Sequence, residues 1–316
     1  MSVVHVIHEN HEWSEPLFRE LHAQGIAYAD WHMGEGVLDL DAAPPQGVFY
    51  NRMSASSHTR GHRYSPEYTA AVLAWLERHG ARVVNPGEAL RLELSKVAQA
   101  QALAVQGIRT PRTRAALGRD AVLAAARDFD APFITKHNRA GKGLGVKLFQ
   151  RADALAAWLD GPDFQPPVDG IMLIQQYIQA PTPHITRVEF IGAELLYAVR
   201  VDTSGGFELC PADACSVGDA FCPVGEQAGE KFRILYGFEH PLLPRYRRLL
   251  AQHGIGVAAF EFIVDAQGRD YTYDINTNTN YNSQAEARAG VSGMRRLAQF
   301  LGRELEATMR GGRAAA

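Results

Sequence analysis

Two carboxylates and an amide late in the chain, Glu261, Asp274 and Asn276, have the types and spacing of a hard-cation site. They lie in VAAFEFIVDAQGRDYTYDINTNTNYN, residues 257–282, whose apolar and aromatic arms alternate with period two. The arms are Val257–Val264 and Asp270–Asn276, split by the turn-forming run DAQGR, so a hairpin is expected. Alternation in the second arm puts Thr272, Asp274 and Asn276 on one face and Tyr271, Tyr273 and Ile275 on the other. A turn centred between Gln267 and Gly268 sets Glu261 opposite Asp274 and gathers Glu261, Asp274 and Asn276. An odd-length loop would instead set Glu261 beside Tyr273 and scatter them. Such oxygen donors suit Mg²⁺, which keeps substrate phosphates among its remaining ligands. A plain solvated hairpin is the competing reading, but acids flanked by Phe260, Phe262, Tyr273 and Ile275 sit there at a desolvation cost.

Other residues offer positive charge. APFITKHN, from Ala131, reads as a strand that feeds the glycine-rich loop RAGKGLG and leaves through VKLFQ. Gly141, Gly143 and Gly145 let backbone amides approach phosphate oxygens, and Lys136 and Lys142 add charge. The loop matches neither the P-loop nor the dinucleotide fingerprint. A second polar loop, NRMSASSHTRGHRYSPEY, follows a strand end, where α/β folds place ligands; its Arg52, Arg60 and Arg63 suit a carboxylate, with Ser54 or Ser57 adding hydroxyls. Solvated surface is the competing role for each arginine. Arg187 and Arg200 stand on the two arms of a hairpin turning near Gly192, where ordinary pairing with Glu189 or Glu194 is the alternative. His5, His8 and His11, three apart across a strand end, would not share a face and are assigned no metal. Cys210, Cys215 and Cys222 form no paired CxxC and read as free thiols.

The elements that must position these groups follow an α/β pattern. Strands are expected at Val3–Ile7, Ile26–Trp31, Gly47–Arg52 and Ala81–Asn85. Helices are expected at Trp13–Gln24, from a Ser65 cap with Pro66 in the first turn to His79, and at Ala89–Gln106. A helix at Ala152–Leu159, a buried strand at 170–178, a helix at Leu243–Gln252 and a last helix from Ala285 to Glu306 complete the pattern, with 311–316 frayed. Residues from Asp202 to about Gly237 are irregular and read as a covering loop. With 316 residues and 46% hydrophobic content the chain can bury a real core, and a net charge of −3 argues against nucleic-acid or anionic-membrane surfaces. Neither a signal peptide nor a membrane-length run is evident, so a cytoplasmic protein is expected.

In order and spacing these parts resemble the ATP-grasp superfamily, and most closely its RimK-type amino-acid and peptide ligases, over nearly the whole chain. The resemblance implies an α/β (α+β) ATP-grasp fold: a pre-ATP-grasp domain at 1–92, a lid subdomain at 93–170 and a metal-binding subdomain at 171–316. It implies ATP held by Lys96 of LSKVAQAQAL, by Lys136, by the lid residues Gly141, Lys142, Gly143 and Gly145, and by a hinge at Gln175, Gln176, Tyr177 and Ile178. Glu261, Asp274 and Asn276 would hold two Mg²⁺ ions, with Mn²⁺ an acceptable substitute. Arg200 would steady the acyl phosphate or oxyanion and Arg187 the substrate side. Arg52, Ser54, Arg60, Arg63, Asn278 and Asn280 would border an amino-acid or peptide substrate. Dimers and tetramers are common among similar enzymes.

Several residues depart from the family pattern. Glu261 and Asp274 stand where the family commonly has Asp and Glu; Gln176 replaces a usual hinge Glu, and no ribose-binding acid is evident after Ile178. No Asp precedes Arg187, and TNTNYN replaces a Pro-Gly turn beside the substrate. The implied reaction is ATP-dependent joining of a carboxylate to an amine. Two other readings stay open here: an ATP-grasp kinase that phosphorylates an alcohol, and a non-catalytic ATP-binding regulatory module, against which the paired metal ligands speak.

Overall fold

The computed structural model describes residues 2–141, 143–204 and 231–314, the side chains of 312–314 excepted. Lys142 and the three cysteines lie outside the described residues. The chain opens with β1 (Val3–His8), α1 (His11–Ala23), β2 (Tyr28–His32), β3 (Gly47–Asn51), α2 (Ser65–Arg78) and β4 (Arg82–Val84). These strands form a parallel sheet in the order β2-β1-β3-β4. Helix α2 has Pro66 in its first turn, but Ser65 is already helical and Tyr64 occupies the cap position, without a side-chain bond.

The single helix expected over 89–106 is two, α3 (Gly87–Leu94) and α4 (Lys96–Val105). Ser95 ends one in extended backbone, φ −138° and ψ 108°, and starts the other by accepting from the Ala98 amide. A serine hydroxyl satisfies a helix-start amide that would otherwise lack a partner, so the break costs little.

The central sheet is antiparallel, built from β5 (Thr113–Leu117), β6 (Phe133–His137), β7 (Lys147–Phe149) and β8 (Ile171–Gln176) in the order β5-β8-β6-β7, with α5 (Arg119–Ala126) and α6 (Ala152–Leu159) packed on it. β8 pairs with β5 and β6, so 171–176 belong to this sheet and not to the unit expected after residue 170.

The third sheet is also antiparallel: β9 (His184–Ile191), β10 (Glu194–Asp202), β11 (Phe232–Leu235), β12 (Val257–Val264) and β13 (Asp270–Asn276), ordered β11-β10-β9-β12-β13. β11 lies within the stretch expected to be irregular. On one face, α7 (Leu243–Gln252) buries Leu243, Tyr246, Leu249 and Leu250 against Val188, Phe190, Ala198 and Phe260. At about 2 kcal/mol for each fully buried large side chain, that stripe fixes the sheet's back. The expected last helix is also two, α8 (Ser283–Ala289), ended by Gly290 in left-handed backbone, and α9 (Gly293–Ala314). Leu297, Ala298 and Leu301 of α9 join Val4, Val6 and Val48 of the first sheet to Ile185, Val199 and Val257 of the third. Among the described residues no helix is long and apolar enough to cross a membrane.

Candidate active site

The acidic hairpin reaches its predicted pairing by an unpredicted route. Next to the turn, Val264 pairs with Asp270, Ile263 with Tyr271 and Phe262 with Thr272, which is the odd-length register that would put Glu261 beside Tyr273. A bulge at Tyr273 then resets the ladder, and Glu261 faces Asp274 while Ala259 faces Asn276. One extra residue in a strand reverses which side chains point which way. The acids therefore converge, but Thr272 does not join them: it is buried on the α7 side, bonded to the Tyr246 hydroxyl at 2.7 Å. Tyr273 takes the place expected of Thr272, lining the same cavity as the acids and donating to Glu261 Oε2 at 3.1 Å. Its hydroxyl is pushed well up by burial and by the adjacent carboxylates of Glu261 and Asp274.

The helix break delivers a lysine to this cluster. Lys96 is the first residue of α4, and its Nζ lies 2.7 Å from Asp274 Oδ1. Asn138, just past β6, holds the break: its Oδ1 accepts from Ser95 Oγ and the Val97 amide, and its carbonyl from the Lys96 amide. Gln99, one turn on, bonds both the N–H and the carbonyl of Ile275, so α4 and β13 are fixed together. Burial opposes the charge on Lys96, but Asp274, Glu93 and Glu261 outweigh it and its pKa is raised. Burial likewise opposes the Asp274 charge, and Lys96, Lys136 and Arg187 outweigh it, holding that carboxyl low. Lys136, from β6, lies 5.0 Å from the Tyr273 ring centroid and is 6% exposed. Burial and the nearby Lys96 charge push it down to about 8.

These groups open on one cavity of about 650 Å³. Lys96, Lys136, Glu261, Asp274 and Asn276 line it together, with Gly141 and Gly143 of the lid and the hinge segment Gln175–Ile178. Ile134, Leu148 and Ile263 supply an apolar wall. Gly145 has φ +72°, and a Cβ there would overlap the His137 ring, so the lid requires glycine at that point. Gln175 Nε2 donates to Thr113 Oγ1 at 2.8 Å, and Gln176 Oε1 accepts from the Arg112 amide at 3.3 Å.

The arginines separate. Arg187 is buried in the site, its Nε 2.5 Å from Glu189 Oε1, Nη1 2.8 Å from Glu261 Oε1 and Nη2 2.7 Å from Thr279 Oγ1. Burial opposes its charge, but the two carboxylates hold the proton more firmly than usual. Arg200 is not beside it. A bulge between Leu195 and Tyr197 shifts β10 by one, so Val199 faces Arg187 and Arg200 faces Thr186, on the opposite side of the sheet. There Arg200 is exposed and lines no part of the cavity. In the cationic loop, Arg60 forks onto Glu9 at 2.6 and 3.1 Å, and Arg63 meets Glu67 at 3.2 Å. Ser54 lines the cavity with Ser56, while Ser57 is buried. Arg52 is 2% exposed and bonds Asn280 Oδ1 at 2.8 Å and Asn278 Oδ1 at 3.4 Å; both asparagines line the cavity.

The RimK-like ATP-grasp domain family matches residues 94–209. That span runs from just before Lys96 through the lid, the hinge and Arg187. Residues 94–209 are a RimK-like ATP-grasp domain. Its fold is similar to that of a RimK domain ATP-grasp protein from Sphaerobacter thermophilus, with a TM-score of 0.64 at 19% identity over 95% of this chain and 99% of that one. It is also similar to the D-cycloserine synthetase DcsG, at 0.64 and 17% over 96% and 99%, and to the ATP-grasp ligase PsnB complexed with a minimal precursor, at 0.64 and 16% over 95% and 98%. The likeness shows that the ATP-grasp fold extends over nearly the whole chain. No curated protein sequence matches.

Several residues that hold this site together escape a reading of sequence. Glu93, pushed up by burial, accepts from the Thr277 and Asn278 amides and so shapes the NTNTN segment. Asn85, fully buried at φ +61°, accepts from the Gly256 and Val257 amides and donates to the carbonyls of Val257 and Thr277. The Asn-Pro step at the end of β4 was the only signal for that clamp. The histidines also depart from expectation: His8 Nε2 and His11 Nδ1 meet on Asp30 at 2.6 and 3.1 Å, because α1 starts right after β1 and brings His11 back over it. One ligand atom from each of His8, His11 and Asp30 lies within 4.8 Å of the others, a grouping that could hold a metal ion.

Proposed function

We propose that the protein is an ATP-dependent ligase that joins a carboxylate to an amine through an acyl phosphate, forming ADP, phosphate and an amide. The observation that carries this is the convergence of Lys96, Lys136, Glu261, Asp274 and Asn276 on one cavity under a glycine lid. Two proteins similar in fold, the ATP-grasp ligase PsnB with its minimal precursor and the macrocyclase MdnC with the precursor peptide MdnA, support an amino acid or short peptide as substrate.

In this reading the nucleotide lies between the lid and the hinge Gln175–Ile178, its base against Ile134, Leu148 and Ile263. Lys136 and Lys96 take the phosphates, and the lid amides of Gly141, Gly143 and Gly145 fold over them. Glu261, Asp274 and Asn276 offer the oxygen donors that suit one or two Mg²⁺ ions, for which Mn²⁺ can substitute. Bound there, the metal would offset charge on the transferring phosphoryl group. A substrate carboxylate oxygen attacks the γ-phosphorus and the bond to the ADP oxygen breaks. The amine nitrogen then attacks the acyl carbon, loses its proton, and phosphate leaves. Positioning and charge neutralisation dominate such transfer, which matches a site built of fixed lysines and acids. Arg187 acts here as a positioning residue: gripping Glu261 and Glu189, it holds the carboxylate that faces Asp274.

The test is trapping. With MgATP, pooled amino acids and peptides, and hydroxylamine, a ligase forms ADP together with hydroxamates. A phosphoester of an alcohol, or no ADP with any acceptor, would contradict the reading.

A further inference from the structure

Four arginines lie in the loops that follow β3 and β6, and three have carboxylates. Arg60 pairs with Glu9 at 2.6 Å, Arg63 with Glu67 at 3.2 Å, and Arg139 with the same Glu67 at 2.6 Å. Arg52 is the most deeply buried of them and has no carboxylate within ion-pair distance among the described residues. The acid whose field reaches it, Glu9, has both oxygens engaged by Arg60. Among the described residues, only two side-chain amide oxygens touch the guanidinium, and its buried Nη1 has no partner. The Tyr50 and Tyr281 hydroxyls nearby, both within reach of the Arg52 field, are likewise buried without a hydrogen-bond partner among the described residues.

A buried guanidinium without a counter-ion is costly, and proteins keep one where a charged ligand completes it. The two residues screening Arg52 from the cavity, Asn278 and Asn280, belong to the NTNTN segment that borders the substrate side. Turning either amide over would withdraw an oxygen from Arg52 and present an N–H₂ to an incoming anion. Ser54 and Ser56 line the cavity beside it and offer hydroxyls.

We propose that Arg52 is the seat of a carboxylate that the substrate carries but does not react, the free carboxylate of an amino acid or peptide joined elsewhere in the molecule. This rests on the ligase reading. The anion displaces the Asn278 and Asn280 oxygens from the guanidinium and is held by a bidentate, charge-assisted pair.

The experiment measures binding to the full chain with MgADP present, by thermal shift and calorimetry. The L- and D-amino acids and glycyl dipeptides are each set beside their carboxamides. At least one acid should bind about tenfold or more tighter than its amide, as expected when a hydrogen-bonded charge is removed from a ligand. Arg52→Gln should bind acid and amide alike while keeping its MgADP affinity. Asn280→Asp guards against a misfolded variant: it puts a carboxylate beside Arg52 Nη2, so it should melt higher and lose the acid preference. The inference is overturned if wild type binds MgADP yet prefers no acid, or if either variant keeps the preference. A wild type that binds no MgADP overturns the ligase reading instead.

Discussion

Raising the pH from 6.5 to 9 should change the charge of one cavity lysine before any nucleotide arrives. Burial, with the Lys96 charge behind it, pushes Lys136 from 10.5 down to about 8, against the pull of Asp274 and Glu261. At ~1.4 kcal/mol per pH unit, its ammonium form is about 3 kcal/mol harder to hold in the empty cavity than in water. Phosphates bound against Nζ restore the charge, so nucleotide binding should draw a proton from solution. The uptake should be close to none at pH 6.5, about half a proton at pH 8 and close to one at pH 9. Calorimetry of MgADP binding in buffers of different ionisation enthalpy reads this directly, with Lys136→Met as the variant that should lose it. No uptake by wild type at pH 8, or the same uptake by the variant, would refute the reasoning. Stability carries the same signature. Because the folded pKa lies below the unfolded one, the unfolded chain binds more protons between pH 8 and 10.5. Lys136 therefore destabilises the fold most below pH 8, and stability relative to Lys136→Met should rise with pH across that window.

Three other substitutions test the frame. Asn85→Ala removes four bonds to backbone groups and places an alanine at φ +61°, and should cost about 3–5 kcal/mol in urea unfolding, with Asn85→Gly costing less because glycine accepts the backbone angle. Gly145→Ala forces the lid off the His137 ring and should raise the KM for ATP severalfold with little change in Tm. Tyr246→Phe leaves the buried Thr272 hydroxyl without its partner and should cost about 1–2 kcal/mol in the same unfolding assay.

Two bulges mark where the sequence stopped informing. Both arms of the acidic hairpin were legible to the residue, because alternation and the DAQGR turn are local signals. The extra residue at Tyr273 is not local: it is fixed by packing of Thr272 against Tyr246 on one face and of Tyr273 against Glu261 on the other. It brings Asp274 onto the site face. The bulge after Leu195 does the reverse to Arg200, which without it would share the face of Arg187. The α3–α4 break is set by Asn138, a side chain 43 positions away, so LELSKV gave only a serine able to cap. The cationic loop was visible as charge, but its partners Glu9 and Glu67 were not, and they leave Arg52 alone among the three loop arginines without an acid among the described residues.

The most direct test of the central claim is ADP release with MgATP and pooled amino acids and dipeptides, with products read by mass spectrometry and Asp274→Ala run beside the wild type. The account predicts ADP and a new mass equal to two substrates less water, both absent in the variant. An active wild type whose Asp274→Ala counterpart forms the same product at the same rate, or ATP binding with no turnover on any pool, would contradict it.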